Sequence, residues 1–237
     1  GVIIQSKRLI EEMKVFVWKN GKAQAQPGYN DDLIMSFGIA MYIRDTALKF
    51  KEQGSNVDIV VARDDNAPRP SVRRDRNTMI QEYKSSEKVL DIPFHIMKNP
   101  VSEDGRPILE WNSSTISDMD KIVNRKDYDL IITHSPGDHH NDHVNTFKIV
   151  NSSLRRYHGE FWVMEEAPYN NKNRDFQADI FVDITNTIDK KLESIACYSS
   201  YFDDTLLHNI KGLAAYRGQM LGVEYAESFQ LRWRNIY

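Results

Sequence analysis

Asp129-Leu-Ile-Ile-Thr-His-Ser-Pro-Gly-Asp-His-His-Asn-Asp-His143 decides how this chain is read. Asp129 to Thr133 is a short apolar run of the kind that forms a buried parallel strand. It leads straight into a polar loop holding His134, His139, His140 and His143, four of the seven histidines in the chain. Val144 to Arg156 then reads as a helix. Strand, polar loop and helix make half of a βαβ unit. In open α/β sheets ligands sit beyond the carboxyl ends of the strands, and the histidine cluster falls at one such end.

The rest of the chain repeats the pattern. Upstream, Val15-Phe-Val-Trp18 reads as a strand, and Lys19 to Tyr29 as a polar stretch with Gly and Pro. Asn30 is placed to cap a helix, with Asp31 and Asp32 in its first turn, where carboxylates suit the helix dipole. That helix runs to about Glu52, with Gly54 as its stop. Val57 to Ala62 is an unbroken apolar strand, Arg63 to Arg76 a basic loop, Asn77 to Leu90 a helix and Phe94 to Met97 a strand. Pro100 to Asn112 is loop and Ser117 to Asn124 helix. Downstream, Phe161 to Met164 and Ile180 to Asp183 are strands. Two helical stretches, Ile188 to Ser199 and Thr205 to Leu221, close the chain. Strands alternating with helices imply right-handed βαβ units. The expected fold is α/β, a Rossmann-like three-layer α/β/α sandwich with a mostly parallel sheet.

The composition is that of a globular protein. The chain has 237 residues, 41% of them apolar and 27% charged, enough for one large domain or one domain plus an appendage. A net charge of -3 gives no surface for coating nucleic acid. No apolar run nears the roughly 20 residues that span a bilayer. Gly1 to Lys14 is too charged for a signal peptide. The start at Gly1, without an initiator Met, suggests a fragment, a processed form or a trimmed chain. A single cysteine, Cys197, allows no internal disulfide, so a reducing cytoplasm is the expected compartment. Cys197 sits in an apolar helical pattern and reads as a core thiol.

Imidazole is the commonest metal ligand, and its pKa suits proton transfer near neutrality. His140 and His143 are three apart, so on a helix start both project from one face. Asp142 is placed to hold one imidazole in the correct tautomer. The competing reading is a polar loop with solvated histidines, because His-x-x-His alone is common. Asp138 and Asp142 favour a metal site, since zinc takes carboxylate oxygen together with imidazole nitrogen.

Thr133-His-Ser-Pro-Gly-Asp-His-His-Asn-Asp-His143 resembles the second signature of the PIG-L/LmbE deacetylase family. Glu165-Glu-Ala-Pro168, Asp183-Ile-Thr185 with Lys190 to Ala196, Ala214-Ala-Tyr-Arg-Gly218 and Tyr225-Ala-Glu-Ser-Phe229 resemble its later segments in order. The likeness covers about residues 55 to 237. It implies a zinc-dependent hydrolase that removes acetyl from an N-acetylated sugar or sugar conjugate. By the same resemblance His143 is a ligand of Zn²⁺ or another divalent metal. His140 stabilises the oxyanion or protonates the leaving amine, and Asp142 orients His140. An arginine of the basic loop, Arg73 or Arg76, contacts substrate.

The family's first signature, Ala-His-Pro-Asp-Asp-Glu, is missing. No His-Pro pair occurs and no histidine precedes His95. Val15 to Lys22 with Gly28-Tyr-Asn-Asp-Asp-Leu-Ile-Met-Ser36 resembles instead the end of the nuclease domain in tailed-phage terminase large subunits, over about residues 3 to 50. That likeness makes Asp31 or Asp32 a magnesium ligand, and plain helix capping is the alternative for both. The chain therefore divides into residues 1–53, terminase-like, and 54–237, deacetylase-like. Residues 14 to 62 have the element order needed to replace the missing first βα unit. In that arrangement Asp32 joins His143 on the metal and Asp31 is free as the base. Three functions compete: a deacetylase, active or weakened; a non-catalytic PIG-L-like domain; and a fragment of phage packaging machinery. Nucleic acid is not expected as a partner of this chain alone, and the oligomeric state is open.

Overall fold

The computed structural model describes residues 16–19, 22–25, 44–54, 56–63, 76–92, 94–98, 109–166, 176–199 and 204–234. Phe16–Lys19 (β1) and Lys22–Ala25 (β2) form an antiparallel pair closed by Lys19 opposite Lys22. β2 falls inside the polar stretch from Lys19 to Tyr29, for which the sequence predicts no strand. Asn20-Gly21, the two residues between the strands, is the pair that most favours a two-residue hairpin.

Helix α1 is Arg44–Glu52, followed by Gly54 at φ +86°, a left-handed stop that glycine takes without strain. Then come Ile59–Arg63 (β3), Arg76–Leu90 (α2) and Phe94–Lys98 (β4), and β3 and β4 pair in parallel. The expected strand from residue 57 opens at Ile59. Asp58 is drawn aside instead, its carboxylate accepting from Arg125, Lys126 and Tyr128 at 3.2, 2.6 and 2.9 Å.

Ser113–Val123 (α3) begins four residues before the expected start. Asn112 caps it, its side chain accepting the backbone N–H groups of Ser114 and Thr115, while Thr115 Oγ1 returns a bond to the Asn112 N–H. Leu130–Thr133 (β5), Asn141–Ser153 (α4) and Glu160–Met164 (β6) form a βαβ unit, with Thr133 opposite Val163 in the parallel ladder. Ile180–Asp183 (β7), Ile188–Ala196 (α5), Asp204–Leu221 (α6) and Ala226–Trp233 (β8) complete the described elements.

The last of these corrects the reading that two helices close the chain. β8 is eight residues long and lies inside the sheet, in the order β5-β6-β8-β7. It runs antiparallel to both neighbours, so β5, β6 and β7 share one direction.

β6 shows why the fold has three layers. Phe161 and Val163 face a core with Met119 and Val123 of α3 and Phe147, Ile149 and Val150 of α4. Trp162 and Met164 face the opposite core, with Val182, Ile188, Ala214 and Phe229. Alternating side chains of one strand thus bury against helices on both faces. A third cluster joins α1, α2 and α5 through Leu48, Tyr83, Leu90, Ile195 and Tyr198. Trp162 lies in the core, and Trp111 is 54% exposed. Cys197 caps α5 and packs against the third cluster.

Among the described residues β5 pairs only with β6. Residues 129–133 line a cavity of about 800 Å³ together with Phe50, Val57, Ile122 and Val150. No helix of the described residues is long and apolar enough to cross a membrane.

Candidate metal centre

Two parallel strands deliver the site. β5 ends at Thr133 and the next residue is His134, fully buried; β6 ends at Met164 and is followed by Glu165 and Glu166, both buried. Because the strands are parallel and in register, His134 and Glu166 leave the sheet at the same end. Asp138 shapes the loop between β5 and α4. Its Oδ1 accepts the His140 backbone N–H at 2.8 Å, and its Oδ2 lies 2.9 Å from His143 Nδ1. His140 is the N-cap of α4: its Nδ1 accepts the Asp142 backbone N–H at 3.2 Å. One turn into the helix, His143 is carried into the interior at 1% exposure.

His134, His143 and Glu166 converge. Glu166 Oε2 is hydrogen-bonded with His134 Nδ1 and lies 3.2 Å from His143 Nδ1. The two imidazole rings stack with centroids 4.0 Å apart, and the His140 ring sits 5.1 Å from that of His143. Each of the three residues offers a ligand atom within 4.8 Å of the other two. Zinc bonds to nitrogen and oxygen are about 2.0–2.2 Å long, so shifts of about an ångström would bring all three onto one cation. The chemistry of the donors supports the fit: both rings turn their Nδ1 edge to the Glu166 carboxyl, so two imidazole nitrogens and a carboxylate oxygen meet in one buried place.

Burial sets the protonation. It pushes His134 down to about 3, with nearby Asp138 opposing. Burial pushes His140 down to about 4, with the His143 charge adding to the effect. Glu166 is driven up to about 8 by burial; His143 opposes this, and the neighbouring Asp138 carboxylate adds to it. For Asp138 burial also acts upward, but the hydrogen bond and charge of His143 and the His140 N–H outweigh it and hold the group below its usual value. The site therefore combines neutral imidazoles at His134 and His140 with a carboxyl at Glu166 that keeps its proton near neutral pH, and a cation would have to displace that proton.

Of the residues expected from sequence, His143 lies in the cluster and His140 stands beside it. Asp142 meets His140 through its backbone N–H. Asp31, Asp32 and Arg73 lie outside the described residues; Arg76 is the first residue of α2, and its side chain is not among those described. His134 and Glu166 were not picked out as ligands. Their signal was position: each comes within two residues of the end of a strand, at the edge where ligands gather.

The sequence model of the PIG-L family, described as GlcNAc-PI de-N-acetylase, matches residues 30–154, more than half of the chain. The match opens at Asn30 and takes in Asp31 and Asp32. The likeness of residues 3–50 to a terminase has no counterpart in these comparisons. No curated protein matches the chain at a significant level of sequence similarity. Among solved structures the chain is similar to GalB, the 4-carboxy-2-hydroxymuconate hydratase of Pseudomonas putida KT2440. The TM-score is 0.70 at 14% identity, covering 85% of this chain and 94% of that one. It is similar to N,N'-diacetylchitobiose deacetylase from Pyrococcus horikoshii, with a TM-score of 0.61 at 18% identity over 83% of this chain and 80% of that one. A third likeness is to teicoplanin deacetylase Orf2 in its zinc-inhibited form, with a TM-score of 0.64 at 13% identity over 83% and 94% of the two chains. At such identities these likenesses speak for the fold alone, on which a hydratase and deacetylases both occur.

Proposed function

This chain belongs to the PIG-L family, described as GlcNAc-PI de-N-acetylase, and on that basis we propose that it is a metal-dependent hydrolase removing acetyl from an N-acetylated sugar or sugar conjugate. The observation that carries the reading is the buried His134–His143–Glu166 set at the carboxyl ends of β5 and β6. Two imidazoles and a carboxylate are a donor set of catalytic zinc sites. Bound there, a divalent cation would supply Lewis acidity to the amide carbonyl and bring the pKa of water toward neutrality.

The chain's own groups would hold and orient the rest. His140 Nδ1 accepts a hydrogen bond, so the neutral ring carries its proton on Nε2. That N–H is a fixed donor for the oxyanion that develops when the acetamide carbonyl is attacked. A ring held near pKa 4 suits donation of a hydrogen bond better than delivery of a proton. Asp138 fixes His143 and the loop, and Asp142 fixes the His140 tautomer through the helix cap.

Asp31 is assigned the role of general base and Asp32 that of a further ligand, while Arg73 or Arg76 meets the substrate. The start of the family match at Asn30, which takes in both aspartates, supports this reading. The strand expected to open the first βα unit pairs instead with β2, in a two-stranded antiparallel sheet among the described residues.

The test is acetate release from an N-acetylglucosamine derivative with zinc added. Release by the unaltered chain, its loss in His143→Ala and a large reduction in Asp31→Asn are expected. Zinc binding without any acetate release would make the domain a non-catalytic member of the family.

A further inference from the structure

We infer that Arg217 is a positioning residue for Glu166, so that α6 and β8 belong to the metal centre although neither supplies a ligand. The inference rests on the reading of Glu166 as a ligand. Glu165 and Glu166 are neighbours just past the end of β6, and their carboxylates go to different partners. Glu166 lies against His134 and His143. Glu165 is gripped from two other elements at once. Arg217 of α6 donates from Nε to Oε2 at 2.8 Å and from Nη2 to Oε1 at 2.5 Å, the fork that a guanidinium makes and an ammonium does not. Ser228 of β8 donates from Oγ to Oε2, and the Glu165 backbone N–H donates to the Ser228 carbonyl at 3.3 Å.

Both the side chain and the backbone of Glu165 are therefore anchored where the β6 ladder stops at Met164. A single planar peptide separates this anchor from Glu166, so the direction of the ligand follows from it. Arg217 is itself held in place. Its guanidinium lies 5.2 Å from the Tyr216 ring centroid. Gly218, the next residue, lets α6 press against the turn that leads into β8: a Cβ there would meet the Glu224 carbonyl oxygen at 2.5 Å.

Arg217→Met and Arg217→Lys test the assignment in the full chain. Lys191→Met is the control, because it breaks a different buried ion pair anchored on the same β8, with Glu227 at 2.6 Å. Titration with Co²⁺ alone, followed by its visible absorption, gives the affinity. Arg217→Met is expected to weaken it by about 10–100-fold, the usual cost of losing an outer-shell partner, and Arg217→Lys to recover part. Lys191→Met should lower the Tm and leave Co²⁺ affinity unchanged. A second readout needs no metal: the resonance of the proton between His134 Nδ1 and Glu166 should shift or vanish in Arg217→Met and persist in Lys191→Met. Unchanged Co²⁺ affinity in Arg217→Met overturns the inference. If the unaltered chain takes up no Co²⁺, the reading of the centre fails first, and an unmoved resonance in Arg217→Met then overturns the positioning role as well.

Discussion

The rings of His134 and His143 lie face to face, 4.0 Å between centroids and 8° from parallel. Residues from a strand end and from a helix start are thus held in one buried stack, with Glu166 across their Nδ1 atoms. Two protonated imidazoles so placed would repel each other in a poorly solvated interior, which adds to the burial that keeps His134 neutral. A neutral ring is the state in which histidine ligates.

Removing either ring should cost more than removing an outer-shell residue. His134→Ala and His143→Ala are each expected to lower Zn²⁺ affinity by well over the roughly 10–100-fold that an outer-shell loss costs. Calorimetric titration checks this. Wild-type affinity in His134→Ala would remove that residue from the ligand set.

Glu166 makes binding depend on pH. Its folded pKa is raised from 4.5 to about 8, so below that pH a cation must displace its proton. Affinity should climb with pH up to about 8 and then level off, with roughly one proton released per ion at pH 7. Titration in buffers of different ionisation enthalpy counts the protons. Glu166→Gln should release none and bind weakly.

The metal-free protein should show the same chemistry in its stability. The raised Glu166 contributes stability that is present below 4.5 and lost as pH rises through about 8. The lowered His134 and His140 contribute stability present above 6.5 and lost as pH falls through about 3 and about 4. Between 4.5 and 6.5 these two outweigh Glu166 by one proton, and Glu166 acts alone above that. Denaturation midpoints should rise over the first window, by at most about 1.4 kcal/mol per pH unit and less where the partly exposed His140 is screened. Between 6.5 and 8 stability should fall by at most about 1.4 kcal/mol per pH unit. Glu166→Gln should flatten that fall.

Asp138→Asn should keep the fold and loosen the centre. The amide still accepts the His140 N–H through its oxygen but gives up the charge that holds His143. About a 10–100-fold loss of Zn²⁺ affinity is expected, with circular dichroism unchanged.

Gly218→Ala addresses the α6–β8 turn. The added Cβ would lie 2.5–2.7 Å from backbone atoms of Val223 and Glu224, which cannot swing away as a side chain would. Overpacking of this kind costs about 1–3 kcal/mol, read as a lower urea midpoint at unchanged m.

The sequence revealed the βαβ framework because its strands are unbroken apolar runs ending in polar loops, as at Leu130 to His134. It also placed His143 and His140, which stand at a helix start with ligand spacing. It hid β8 because Glu227 and Ser228 look like surface residues; both are buried, each paired with a residue far away in sequence, Lys191 and Glu165. Glu166 was hidden for a related reason. A carboxylate after a strand is unremarkable until the parallel register sets it beside His134. The start of α3 depended on one side-chain cap, Asn112, which periodicity does not detect.

β8 is made after β6 and β7 and lies between them. During synthesis those two strands therefore leave the ribosome without the neighbour that joins them, and Glu165 waits for both Arg217 and Ser228. At about 5–20 residues per second, the tens of residues from β7 to β8 leave a gap of seconds in the sheet. A ribosome that stopped short of residue 226 would release a chain with its sheet split down the middle. Quality control would meet an unfinished protein, not a trimmed one.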